Sequence, residues 1–397
     1  MDRILVVGGS IAGFSAAAEL RARGFEGELR IVGDEPVRTY ERPPLSKGVL
    51  AGDDPSSTDW GAAAGDDLEI EWLLGERAVG LDVAARRVSL AGGAELAYDG
   101  LVIATGARPR TLPGQPPLAG VHVLRTRADA LGLRADLDRG PEHVVVVGAG
   151  FIGGEVAATC RRRGHRVTVV EPLAQPLERV LGPEVGAVVA DLHRREGTDL
   201  RLGVGVTALE GGDRIERVRL GDGEVLEADV VVVGIGVVPN VDWLDGSGLP
   251  IEGGVRADAT TLVAPGIVAC GDVASWDSPR YGRLRIEHWD GAVDMGRAAG
   301  RRLLATDDEA VPYDPVPWFW SDQYDVRLQV AGRPTLPEHG GTTAVVGGEL
   351  GDDRFAVLYG RDGWVTGVLG WSWPAKAVRS RMALEQGWRW DEAVAGA

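Results

Sequence analysis

Twice along this chain a run of consecutive apolar residues ends at glycine and gives way to residues with helical spacing. The first run is Ile4-Leu5-Val6-Val7, closed by Gly8-Gly9-Ser10-Ile11-Ala12-Gly13, with a helix expected from about Gly13 to Arg23 and a further strand over Leu29 to Val32. The second is Val144-Val145-Val146-Val147, closed by Gly148-Ala149-Gly150-Phe151-Ile152-Gly153, with the next strand over Arg166 to Val170. Runs without alternation mark strands buried on both faces of a parallel sheet. Two more runs, Leu101 to Ala104 before Thr105 and Gly106, and Val230 to Val233 before Gly234, Ile235 and Gly236, each break at glycine and then proline. They read as the two crossings between neighbouring regions, one inserted in the other. From about Val311 the pattern changes to aromatic-rich alternation, with strands expected over Asp325 to Val330 and Arg354 to Tyr359. The fold class is α/β, with two Rossmann-like domains and a C-terminal α+β domain.

A strand, a glycine turn and a helix N-terminus form a phosphate cradle, because glycines admit a pyrophosphate to the backbone and the helix offers unpaired N–H groups. The second copy is complete, with Gly148, Gly150 and Gly153 in register. Glu171 follows Gly148 by 23 positions, where an acid accepts from both ribose hydroxyls and repels a 2′-phosphate, selecting NADH. The first copy carries Ser10 at its middle position, a residue small enough to keep the backbone approachable. Its ribose acid is Asp34 or Glu35. A distant second element, Thr260 to Asp272, reads as a short strand ending in Gly271-Asp272 and followed by a helix, the mark of FAD-binding flavoproteins.

Composition narrows the partners. A formal net charge of −17 argues against nucleic acid, and no apolar run approaches the ~20 residues of a membrane span. The N-terminal apolar run leads straight into the glycine turn and reads as a strand, not a signal peptide. Cys160 and Cys270 are the only cysteines, which fits a reducing cytoplasm, and both read as packed residues. The run Arg161-Arg162-Arg163 ends a helix and reads as a solvated face.

Order and motifs together resemble the glutathione-reductase-like flavoproteins, and in detail the NADH-dependent ferredoxin reductases of Rieske dioxygenase and class I haem monooxygenase systems. The residues that carry the resemblance are Tyr40-Glu41-Arg42-Pro43-Pro44-Leu45-Ser46-Lys47, Leu124-Arg125-Thr126, Arg285-Ile286-Glu287-His288-Trp289 and Pro317-Trp318-Phe319-Trp320-Ser321-Asp322-Gln323-Tyr324. It implies FAD contacts at Ala12, Asp34, Arg42, Lys47, Ala78, Arg125, Asp272, Glu287, His288 and Trp289. It also implies a Lys47–Glu155 pair beside the flavin and nicotinamide, and Trp320 at the flavin edge. The implied domains are FAD-binding (residues 1–112 and 239–311), NAD-binding (113–238) and C-terminal (312–397).

The resemblance implies tightly bound FAD, exchangeable NADH, and electrons leaving singly for a 2Fe–2S ferredoxin that feeds an oxygenase. Disulfide reductases of this fold need a thiol where Pro43 to Lys47 stand, and neither cysteine is there. No metal is expected. A basic docking patch is expected from Arg297, Arg301, Arg302 and Arg333. Alternatives are a rubredoxin reductase, an NADH oxidase, or an NADH-sensing flavoprotein of the apoptosis-inducing-factor type, which would call for a basic balance of charge.

Overall fold

The computed structural model describes residues 1–60 and 67–396. Chain contacts divide it into two compact units, each assembled from three segments.

The first unit comprises Met1–Glu41, Thr58–Arg108 and Val238–Pro315. At its centre is a six-stranded sheet in the order Leu262–Ala264, Ile267–Ala269, Gly100–Ile103, Arg3–Val7, Glu28–Gly33, Glu71–Leu74. The strands run parallel except for the Leu262–Ala264 and Ile267–Ala269 pair. Ile4 to Val7 are at most 2% exposed, as an unbroken apolar run at the middle of such a sheet requires. The helix Ile11–Ala22 packs against the helix Trp289–Leu304 at very short range. A β-carbon on Gly296 would stand 2.3 Å from the Ala12 carbonyl oxygen, and one on Gly300 2.7 Å from that of Ala16. Small residues on both helices therefore set the approach.

The expected helix directly after Gly271-Asp272 does not form. A single turn, Gly271–Val273, is followed by the strand Ala274–Ser278, and the next long helix starts only at Trp289. The segment Ala274-Ser275-Trp276-Asp277-Ser278 has no helical apolar spacing. It pairs instead with Val255–Ala257 and Gly282–Leu284.

The second unit comprises Arg42–Ser57, Pro109–Val237 and Val316–Ala397. Its parallel sheet runs in the order Asp199–Leu202, Arg166–Glu171, His143–Val147, Val230–Val233, Val121–His122. All four valines of the central run are at most 3% exposed. The same unit holds an antiparallel five-stranded sheet in the order Trp318–Gln323, Val326–Gly332, Trp364–Trp371, Phe355–Arg361, Thr342–Val346. The two strands expected over Asp325 to Val330 and Arg354 to Tyr359 each begin one residue later, at Val326 and Phe355.

The triple arginine is only in part a solvated face: Arg162 is exposed, yet all three side chains bind backbone carbonyls. Arg161 donates to the carbonyls of His165 and Glu196, Arg162 to that of Tyr324, and Arg163 to that of Leu50. Five-donor guanidinium groups at a helix C-terminus here satisfy backbone carbonyls of other segments.

Candidate functional site

In the first unit the glycine turn is closed to any side chain. Gly8 has φ +122°, and a β-carbon on it would stand 2.1 Å from the Ala104 carbonyl oxygen. A β-carbon on Gly13 would lie 1.9 Å from the Gly8 oxygen. The strand end therefore meets the helix start with backbone alone, leaving the helix N-terminus bare, with Ser10 in the N-cap position making no capping bond. Thr39 Oγ1 ties the turn from the far side, donating to the Gly9 carbonyl at 2.9 Å.

Beside this turn lies a cleft of about 440 Å³ lined by Gly8, Asp34, Ala78, Thr105, Asn240 and Trp243, among others. It gathers four sequence-predicted residues that lie as much as 97 positions apart. Asp34 is exposed at the cleft, whereas Glu35 accepts from the Tyr40 hydroxyl at 2.5 Å, so Asp34 is the better placed of the two candidate acids. Thr105 and Asn240 bind each other twice, Oγ1 to backbone oxygen at 2.8 Å and Nδ2 to backbone oxygen at 2.8 Å. They fix the loop that includes Gly106, whose φ is +65°. Asn240 was not anticipated as a site residue; its place after the second glycine–proline break is the signal that could have found it.

Gly271 has φ +72°, and a β-carbon there would reach within 2.7 Å of the Ala12 Cβ. Asp272 is 9% exposed in the turn that follows. Glu287 pairs with Arg285 at 2.7 Å, while Arg285 also donates to the Asp272 carbonyl. Burial pushes the neighbouring His288 down to about 4, with Asp272 opposing the shift. It is a neutral imidazole, suited to a structural role. Trp289 opens the long helix and meets Trp60 edge to face, with ring centroids 5.2 Å apart.

The second unit repeats the glycine geometry. Gly148 has φ +100°, with a would-be β-carbon 2.4 Å from the Gly234 oxygen, and a β-carbon on Gly153 would lie 2.0 Å from the Gly148 oxygen. Gly150 is the N-cap, Phe151 packs edge to face on Phe319, and Ile152 stays 46% exposed. Glu171 closes its strand and accepts from the backbone N–H groups of Ala149 at 2.8 Å and Leu173 at 3.0 Å. The carboxylate is thereby held beside the glycine turn. Ile235 and Gly236 continue from Gly234, and Gly236 accepts from the Arg110 N–H at 2.9 Å.

Glu155, on the helix Phe151–Arg162, is 3% exposed and fully engaged. Lys47 Nζ lies 2.7 Å from its Oε2, the Ser46 hydroxyl donates to the same oxygen at 2.5 Å, and the Ser321 hydroxyl donates to Oε1 at 2.8 Å. A buried carboxylate is tolerable only with such partners. The pairing expected of Lys47 and Glu155 is present; Ser46 and Ser321 were missed, although each stands inside a quoted motif. Arg42 donates to the Arg125 carbonyl at 2.7 Å in this same unit. Trp320 is part-buried on the strand Trp318–Gln323, opposite Gln329.

Of the anticipated basic patch, Arg302 is withdrawn. Its side chain is 8% exposed and paired with Asp307, and Arg301 bonds Glu19. Both cysteines are buried, and burial pushes each thiol up to about 12. Among the described residues no cluster of His, Cys, Asp and Glu could hold a metal, and no helix is long and apolar enough to cross a membrane.

Each unit thus carries a glycine cradle of the shape that suits a dinucleotide. A family described as pyridine nucleotide-disulphide oxidoreductase matches residues 2–296, and one described as reductase C-terminal matches residues 318–396. The anthranilate 1,2-dioxygenase system ferredoxin--NAD(+) reductase component of Burkholderia cepacia is 41% identical over 372 residues, covering 91% of this chain and 89% of its own. Rhodocoxin reductase of Rhodococcus erythropolis is 40% identical over 361 residues, covering 89% and 83%. A solved structure of the covalent putidaredoxin reductase–putidaredoxin complex superposes with a TM-score of 0.89 at 34% identity, covering 97% of this chain and 93% of that one. The chain belongs to the pyridine nucleotide-disulphide oxidoreductase family.

Proposed function

We propose that this protein is an FAD-dependent NADH:ferredoxin oxidoreductase that passes single electrons to a 2Fe–2S ferredoxin serving a Rieske oxygenase or a haem monooxygenase. The observation that carries the reading is the segment Pro43 to Lys47. Where a thiol relay would need cysteine, this chain has a lysine paired with the buried Glu155, and its two cysteines are buried elsewhere, with burial pushing their thiols up to about 12. The names of its relatives, reductase components of oxygenase systems, support the same reading.

FAD, when bound, supplies the conversion between the two electrons of NADH and the single electrons an iron–sulfur protein accepts. The chain supplies position and charge. Gly8, Ser10, Ala12 and Gly13 hold the FAD pyrophosphate, with Asp34 on the ribose and Asp272 on the ribityl chain. Ala78, Thr105 and Gly106 line that site, and Arg42, Arg125, Glu287, His288 and Trp289 complete it. Gly148, Gly150 and Gly153 hold NADH, with Phe151, Ile152 and Gly234 to Gly236 around it and Glu171 reading the ribose hydroxyls. Lys47 offers a positive charge where negative charge develops on reduction, Glu155 holds it, and Trp320 shields the edge from water.

In this reading residues 1–112 and 239–311 bind FAD, 113–238 bind NADH, and 312–397 form the ferredoxin-facing domain. The protein works in the cytoplasm, a reducing compartment that suits two free thiols. Stopped-flow reduction by NADH, followed by a ferredoxin or by oxygen, tests the proposal. Fast reoxidation by ferredoxin alone supports it. Reoxidation by oxygen at turnover rate makes the protein an oxidase, and persistence of the reduced state with both makes it a sensor.

A further inference from the structure

Behind Glu155 a line of buried polar groups leads away through the second unit. Ser321 Oγ is 3.3 Å from Gln323 Nε2, and Gln323 Oε1 is 3.1 Å from His193 Nε2. His193 Nδ1 is 3.0 Å from the Tyr324 hydroxyl, which is 2.7 Å from Thr198 Oγ1. None of these side chains is more than 6% exposed, so each polar atom depends on its neighbours.

The direction of every bond follows from one end. A carboxylate only accepts, so the single Ser321 proton goes to Glu155. The Ser321 oxygen must then accept from the Gln323 N–H, which turns the amide oxygen toward His193. Nε2 of His193 must therefore carry the proton, leaving Nδ1 to accept from the Tyr324 O–H. The Tyr324 oxygen accepts in turn from Thr198. Every donor points toward Glu155.

A second observation shows that the amide was given its place. Gly154 stands in the first turn of the helix Phe151–Arg162, one position beyond the fingerprint, and the phosphate cradle does not require it. A β-carbon there would stand 2.6 Å from Gln323 Oε1 and 2.8 Å from its Nε2. The glycine is the space that Gln323 occupies.

We propose that Gln323 and His193 are positioning residues, which through Ser321 fix the Glu155 carboxylate in the one orientation that keeps Lys47 in place. The proposal rests on the reading that Lys47 and Glu155 serve the transfer from NADH. Burial of His193 pushes it down to about 4, and burial of Tyr324 pushes its phenol up to about 12. Both directions keep the chain in its neutral, one-way form at physiological pH.

The test uses the FAD-loaded full chain, labelled with nitrogen-15 histidine. In the wild type at pH 7, His193 is expected neutral with its proton on Nε2, its signal assigned by loss in His193→Asn. Gln323→Glu keeps shape but offers no N–H, so Ser321 turns away from Glu155 and His193 takes a second proton. The limiting rate of flavin reduction by NADH should then fall about three- to tenfold, with the NADH dissociation constant changed less than about twofold. Gln323→Leu and Gly154→Ala should lower the same rate with His193 still neutral, FAD content and melting temperature being read alongside. A wild-type proton on Nδ1 overturns the proposal. So do variants that lose thermal stability yet keep the limiting rate. A wild-type flavin that NADH does not reduce overturns the functional reading instead, and the tautomer still decides which way the chain runs.

Discussion

Lys47 Nζ lies 2.7 Å from Glu155 Oε2, and the two side chains are unequal in their surroundings: the lysine is 23% exposed and the carboxylate 3%. Removing either partner therefore has different consequences. Lys47→Met leaves a buried carboxylate with only the Ser46 and Ser321 hydroxyls, and should cost about 2–3 kcal/mol of stability. Glu155→Gln leaves a lysine that can turn toward water, and should cost about 1–2 kcal/mol. Both should slow flavin reduction by about tenfold or more, because the positive charge is lost or displaced. Denaturant melts and stopped-flow traces on the same preparations check the two effects separately.

The two glycine turns are expected to fail independently. Gly8→Ala drives a β-carbon onto the Ala104 oxygen in a backbone region that disfavours alanine. FAD affinity should fall by about an order of magnitude or more. Gly148→Ala meets the Gly234 oxygen at 2.4 Å, and that protein should keep its flavin while NADH affinity falls by a similar factor. Flavin content after gel filtration and an NADH titration distinguish the two. Loss of flavin from Gly148→Ala would contradict the assignment.

Glu171 is held by the Ala149 and Leu173 N–H groups. On the proposed reading, Glu171→Ala removes the acceptor for ribose hydroxyls and the repulsion of a 2′-phosphate. The ratio of kcat/KM for NADPH over NADH should rise about tenfold or more, most of it from a higher KM for NADH. An unchanged ratio would show that another group selects the nucleotide.

His193, 2% exposed, is pushed from the ordinary 6.5 down to about 4 by burial. Between these values the unfolded chain binds a proton that the folded chain does not. Stability therefore rises with pH across this window and is lost as pH falls from 6.5 toward 4. The contribution is on the order of 3 kcal/mol at the acid end. Urea melts from pH 4 to 8 should show it together with the like contribution of the buried His288, and His193→Asn should reduce that slope without abolishing it while lowering stability at pH 7.

Much of this was legible in the sequence because it depends on short-range pattern. Unbroken valine runs, glycines at fixed spacing and an acid at the next strand end are local features, and the strands Arg3–Val7 and His143–Val147 carry them as read. Glu155 and Lys47 came from resemblance, since 108 positions separate them and nothing in either segment names the other. Their hydroxyl partners Ser46 and Ser321 lay beyond reach for the same reason. The missing helix after Asp272 was a failure of pattern, because a Gly-Asp turn can open a strand as readily as a helix. The arginine run misled through composition alone: three adjacent charges look solvated until the carbonyls they meet are known.

The central claim is that electrons enter as a pair from NADH and leave singly to an iron–sulfur protein. Under anaerobic conditions, a limiting amount of NADH is added to the FAD-loaded protein with excess 2Fe–2S ferredoxin, and reduced ferredoxin is counted from its visible spectrum. The account predicts two ferredoxins reduced for each NADH consumed, with the enzyme returned to its oxidised form. NADH consumed while the electrons stay on the flavin, with ferredoxin left oxidised, would contradict it.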